Sequence, residues 1–106
     1  MKLDIRASFL ISALQQATPV QKGIKKLVET AALLSFQELL NHEGIHLEKV
    51  KGFLTRDGRQ LYTLRATRAA RAIATVEGDT LILLYLEPDH DKAYRWLLNP
   101  ASRSSP

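Results

Sequence analysis

At 106 residues the chain fits one domain and leaves little room for a second. It is 45% hydrophobic, enough for a real core, and it has no cysteine, which excludes disulfides, thiol catalysis and cysteine-ligated zinc. Its 15 Lys and Arg against 11 Asp and Glu give a net charge of +4, a modest bias whose location matters more than its size.

The first segment, KLDIRA, alternates apolar and polar residues as a short strand does. In ASFLISALQQA, Leu10, Ala13, Leu14 and Ala17 share one helical face, with Ser8 as a cap candidate. Thr18-Pro19 then reads as N-cap and first helical residue. Val20, Ile24, Leu27, Ala31 and Leu34 recur at helical spacing, while Lys22, Lys25, Lys26 and Glu29 point away. Gly23 inside this helix costs about 1 kcal/mol of propensity, which points to something packing closely there. SFQELLNHEG extends the helix or starts a new one at Ser35, and His42-Glu43-Gly44 marks an end.

The second half changes character. GRQLYTLRAT and ARAIATV read as two strands with RAA as their turn. EGDT is a tight hairpin turn with Gly-Asp at its centre. TLILLYL is continuously apolar, as a strand covered on both faces is. Pro88-Asp89 ends it, and Asp89 or Asp91 can cap a last helix, DKAYRWLLN. Helices grouped first and strands second predict an α+β fold. The expected architecture is a twisted, mostly antiparallel four-stranded sheet, two N-terminal helices on one face, and a short C-terminal helix. One domain is expected over 1–98, and a flexible polar tail over 99–106.

Charge is concentrated between positions 49 and 71, where Lys49, Lys51, Arg56, Arg59, Arg65, Arg68 and Arg71 face only Asp57. Such a band can hold a polyanion, and it is equally an ordinary solvated strand face. MKLDIRASF has charges where a signal peptide needs an apolar core, and no apolar run approaches the about 20 residues of a membrane span. A cytoplasmic protein without membrane contact is expected.

The ordered set EKVKG, LYTLRATRAARAI and EGDTLILLYLEPDHDKAYR resembles the RelE/ParE toxin superfamily of bacterial type II toxin–antitoxin systems. The features that carry it are Lys51-Gly52, Tyr62 to Arg65, Arg71, Leu81 to Leu86, and His90 with Tyr94. The resemblance implies a RelE/ParE-like fold and a toxin neutralised by a cognate antitoxin. It implies ribosome-dependent mRNA cleavage, with the ribosome and mRNA as partners, or else a non-catalytic module that inhibits DNA gyrase or belongs to a larger nucleic-acid protein.

For cleavage, the ribose 2′-OH attacks the adjacent phosphate. A base takes its proton, an acid protonates the leaving oxygen and cations stabilise the charged phosphorane, with no metal or cofactor. The resemblance assigns His90 to acid–base work, a role its reference pKa near 6.5 suits. Arg71 and Arg65 are the candidate phosphate clamps, because a guanidinium offers paired donors to phosphate oxygens. Tyr94, one helical turn after His90, would stack on a base or orient the phosphate. Lys49, Lys51 and Arg68 would add positive potential along the RNA path. The match fails on one strand: RelE-type nucleases carry lysines where this chain has Leu61 and Thr63. His42 and His46 have a zinc-like spacing, but Gly44 lies between them and no third ligand follows, so no metal site is expected. Trp96 with Leu97 and Leu98 reads as core or as a partner anchor.

Overall fold

The computed structural model describes residues 1–89. The elements are β1 (Lys2–Ile5), α1 (Ala7–Leu14), α2 (Thr18–Leu33), α3 (Phe36–Leu40), β2 (Glu48–Leu54), β3 (Gln60–Arg65), β4 (Arg71–Glu77) and β5 (Thr80–Glu87). The strands form one sheet in the order β1-β5-β4-β3-β2. β1 runs parallel to β5, and the other neighbours are antiparallel.

Among the described residues the sheet therefore has five strands rather than the expected four. The addition is β2, which lies on an edge and buries only Val50 fully. Exposed Glu48, Lys49 and Lys51, and Gly52 at φ +83, give it the composition of a loop. Its pairing with β3 shifts register between Lys49 and Leu54. The C-terminal helix, the domain end at 98 and the tail lie outside the described residues.

α1 and α2 cover one face of the sheet. Phe9, Ile24, Leu27 and Ala31 pack there against Tyr62, Leu64, Leu81, Leu83 and Leu86. A smaller cluster of Val50, Leu61, Ile73, Ile82 and Leu84 occupies the other face. β5 feeds both clusters alternately, which is why its sequence shows no polar alternation. The β4–β5 register slips between Ile73 and Ala74, so β5 carries one extra residue. α1 fills the break: the Ser8 hydroxyl donates to the Leu84 carbonyl, and Ser12 Oγ accepts the Leu86 N–H at 2.9 Å. Ser8 is thus no cap; Arg6 stands at that position and makes no side-chain cap bond.

Thr18 is already helical, with Ala17 at the N-cap and Pro19 in the first turn. α3 is a separate helix started by a capping box. Ser35 Oγ accepts the Glu38 N–H at 3.2 Å and Glu38 Oε1 accepts the Ser35 N–H at 3.0 Å. The Ser35 backbone N–H, and then its hydroxyl, hold the Glu38 carboxyl below its ordinary range. Gly23 has the role its position suggests: a Cβ there would lie 2.4 Å from the Ala66 carbonyl oxygen and 2.5 Å from Thr67 Cγ2. α2 is pressed onto the β3–β4 turn at a distance only glycine allows.

Candidate anion-binding site

Strand pairing puts two arginines directly opposite each other at one end of the sheet. Arg65 pairs with Arg71, and Arg71 with Glu87. The next row along runs Glu48, Thr63, Ile73, Tyr85. Alternation puts both rows on the face away from the helices, because Leu61 and Ile73 on the same strands belong to the smaller cluster there. Like charges directly opposite on a sheet are destabilising, so stability alone does not account for this pair.

The turn that joins β3 to β4 holds the corner in shape. Ala66 N–H donates to the Ala70 carbonyl at 3.0 Å, and Ala70 N–H donates back to Thr67 Oγ1 at 3.1 Å. Arg71 Nη1 donates to the carbonyls of Thr67, Arg68 and Ala70 at 3.0, 3.1 and 3.2 Å. Its guanidinium is thereby fixed by neutral carbonyl oxygens. Partial burial, and then the nearby Arg65, lower the Arg71 pKa, while Glu48 acts the other way. Among the described residues no carboxylate lies within ion-pair distance of Arg65, Arg68 or Arg71. Arg65 and Arg68 are exposed. Arg65 is anchored through its backbone, whose N–H donates to the Ile45 carbonyl at 2.6 Å. The arrangement can bind an anion: one immobilised guanidinium with two exposed arginines beside it.

No protein-family profile and no curated protein matches the sequence. Solved structures do match. A chain of the RelB–RelE antitoxin–toxin complex from Methanococcus jannaschii aligns with TM-score 0.64 and 19% identity, over 88% of this chain and 96% of that one. A chain of the RelE–RelB complex from Pyrococcus horikoshii gives 0.61 and 16%, over 82% and 92%. A copper-bound mutant toxin from Helicobacter pylori gives 0.52 and 16%, over 88% and 98%.

The chain has a RelE-like fold.

Within this RelE-like sheet the predicted residues do not all converge. Arg65, Arg68 and Arg71 share the corner. Lys49 is the register partner of Tyr62, whose ring packs edge-on against Phe36 at 5.8 Å, so Lys49 leaves the edge strand on the helix side. Lys51 is exposed on the same edge strand. Leu61 is fully buried in the smaller cluster, and Thr63 lies between Glu48 and Ile73 in register. Arg59 sits at the far end of the sheet, bridged to Asp57 at 3.1 Å and to Glu77 at 3.0 Å. His90 and Tyr94 lie outside the described residues, as does Trp96. Glu87, the partner of Arg71, is the last strand residue before them.

Three residues at the corner escaped the sequence reading: Glu48, Tyr85 and Glu87. Tyr85 was hidden inside TLILLYL, where its phenol is the one signal that could have marked it. Partial burial, then the Glu87 carboxylate, raise its pKa, so the phenol holds its proton. The two histidines of HEGIH do different work. His42 Nδ1 accepts the Ile45 N–H at 3.1 Å, and His46 pairs with Glu48. Among the described residues no three metal-ligating side chains cluster.

Proposed function

We propose that this chain is the toxin of a toxin–antitoxin pair and cleaves mRNA on the ribosome. The observation that carries this reading is the arginine corner on a RelE-like fold. Two of the matched structures are toxins crystallised with their antitoxins, and the corner is the cationic feature that phosphoryl chemistry requires. In this reading Arg71 and Arg65 hold the phosphate and stabilise the phosphorane. Arg68, Lys49 and Lys51 raise the local RNA concentration. His90 exchanges the proton, and Tyr94 orients the message. The ribosome supplies alignment of the 2′-OH with the scissile phosphate.

The test is to add purified protein to a translating cell-free extract and map message ends by primer extension. His90→Ala and Arg65→Ala proteins run alongside. The expected result is breaks confined to translated message and lost in both variants.

A second reading has its own observation. Leu61 is sealed in an apolar cluster and Arg71 spends Nη1 on backbone carbonyls, which suits a non-catalytic module that binds gyrase or a nucleic acid. Intact message together with inhibited DNA supercoiling would select it.

A further inference from the structure

The turn between α3 and β2 is built around a histidine. His46, in the left-handed region at φ +50, donates its N–H to the His42 carbonyl at 3.1 Å and closes the turn. Inside it, His42 Nδ1 accepts the Ile45 N–H at 3.1 Å. The ring lies close against the turn: a Cβ on Gly44 would sit 3.0 Å from His42 Cε1. Ile45 is buried in the larger core cluster, and its carbonyl accepts the Arg65 N–H at 2.6 Å. Ile45 thus links the imidazole to an arginine of the corner through its own N–H and carbonyl. Only a neutral imidazole can fill this place. An imidazolium carries a proton on both nitrogens and accepts nothing. It would leave the buried Ile45 N–H without its acceptor, which is costly.

The charged and titratable groups on the elements around His42 are Glu38 on α3, Glu43 and His46 in the turn, Glu48 at the start of β2 and Arg65 at the end of β3. Among the described residues no carboxylate is within ion-pair distance of His42, so no ion pair offsets its protonation. His46 differs, because Glu48 pairs with it. We propose that neutral His42 is a positioning residue for Arg65, and that protonation of His42 releases the 42–46 turn from the arginine corner. The corner then holds RNA less well in mild acid than its charges alone would give. The inference rests on the reading of the corner as an RNA-phosphate site, and not on cleavage or on the ribosome.

The experiment compares the wild-type protein with His42→Asn and His46→Asn, each first shown to be folded at neutral pH. Asn Oδ1 takes the place of Nδ1 as an acceptor and does not titrate. Asparagine at 46 removes the pairing with Glu48 and tolerates the left-handed backbone. Amide hydrogen exchange of Ile45 and Arg65 is measured at about pH 7.5 and about pH 5.5, on either side of the ordinary imidazole range. It is expressed as protection factors, which removes the intrinsic pH dependence of exchange. Anisotropy titrations with a fluorescein-labelled oligouridylate run under the same conditions.

On acidification the wild-type protection of both amides should fall about tenfold, as loss of a buried hydrogen bond requires. His42→Asn should keep it, and His46→Asn should lose it as the wild type does. RNA affinity should be equal for wild type and His42→Asn at neutral pH, and several-fold weaker for wild type in acid. This ratio cancels protonation of Glu48, Glu87 and His46, which both proteins share. Protection that survives acid in the wild type, or falls equally in His42→Asn, overturns the proposal. So does a loss that His46→Asn abolishes, which would assign it to the Glu48 pair. A loss of protection with an unchanged affinity ratio overturns the positioning of Arg65. Exchange is read without RNA. If no protein binds RNA while exchange follows the expected pattern, the RNA reading of the corner fails and the proton-sensitive turn stands.

Discussion

The two ends of the β3–β4 pair carry arginines under opposite conditions. At one end Arg59 is held by two carboxylates, Asp57 and Glu77. At the other, Arg65 and Arg71 face each other, and Arg71 is held by neutral carbonyl oxygens. Both arrangements fix a guanidinium, and among the described residues only the second does so without a carboxylate in ion-pair distance. A carboxylate partner makes an arginine structural, whereas a carbonyl cradle makes it rigid and still able to take an anion. Four arginines that look uniform along the sequence are thus divided by the fold, Arg59 to a neutralised end and Arg65, Arg68 and Arg71 to an available one.

The comparison breaks most readily at Gly23. α2 braces the arginine end through this residue, and a side chain there must displace the Ala66 carbonyl. Gly23→Val is expected to lower stability by about 2–3 kcal/mol in urea denaturation. A neutral result would mean the brace is soft. Next, Arg71→Met removes the donors of the turn and should cost about 1–2 kcal/mol. Arg59→Met, which breaks half-exposed ion pairs, should cost clearly less. A reversed order would sink the contrast between cradle and carboxylate.

Binding to a single-stranded RNA oligonucleotide sharpens the same point. Replacing Arg65 and Arg68 by alanine should flatten the salt dependence of log K by about 1.4, from about 0.7 per lost phosphate contact. Replacing Arg56 and Arg59 should leave the slope unchanged. Equal losses at both ends would show that the band acts as a whole.

The smallest expected effect is in acid. The Thr55 hydroxyl, before any effect of Arg59, holds the Asp57 carboxyl below its ordinary range. A depressed carboxyl contributes stability that is present above its unfolded pKa and lost as pH falls through the folded one. Thr55→Val should therefore shrink the drop in melting temperature between neutral pH and about pH 3, and an unaltered drop would assign it to other carboxylates.

Much of the fold was legible because its signals are local. The spacing of Ile24, Leu27 and Ala31 gave α2, and Glu77-Gly78-Asp79-Thr80 gave the last hairpin, where Glu77 pairs with Thr80. Gly23 announced a close approach, though not its partner. β2 was illegible because an edge strand with one buried residue has no alternation to read. Ser8 misled for a different reason: its hydrogen-bond partner, Leu84, lies 76 residues away and exists only because β5 is bulged. At the site, a strand–turn–strand reading was enough to bring Arg65 beside Arg71. The carbonyls that hold Arg71, the departure of Lys49 to the helix side and the arrival of Tyr85 all depend on register, which composition does not specify.

The parallel pairing of β1 with β5 has a consequence for how the protein is made. Lys2 through Ile5 are synthesised before the helices and the other strands, yet their partners, Thr80 through Leu83, follow all of these. The two serines of α1 likewise wait for Leu84 and Leu86. Strand β1 must therefore remain unpaired until β2, β3 and β4 have been made, and the sheet closes in one late, long-range step. A nascent chain stalled before β5 would hold every arginine of the corner and no finished scaffold to aim them, so whatever the corner does is withheld until β5 has been made.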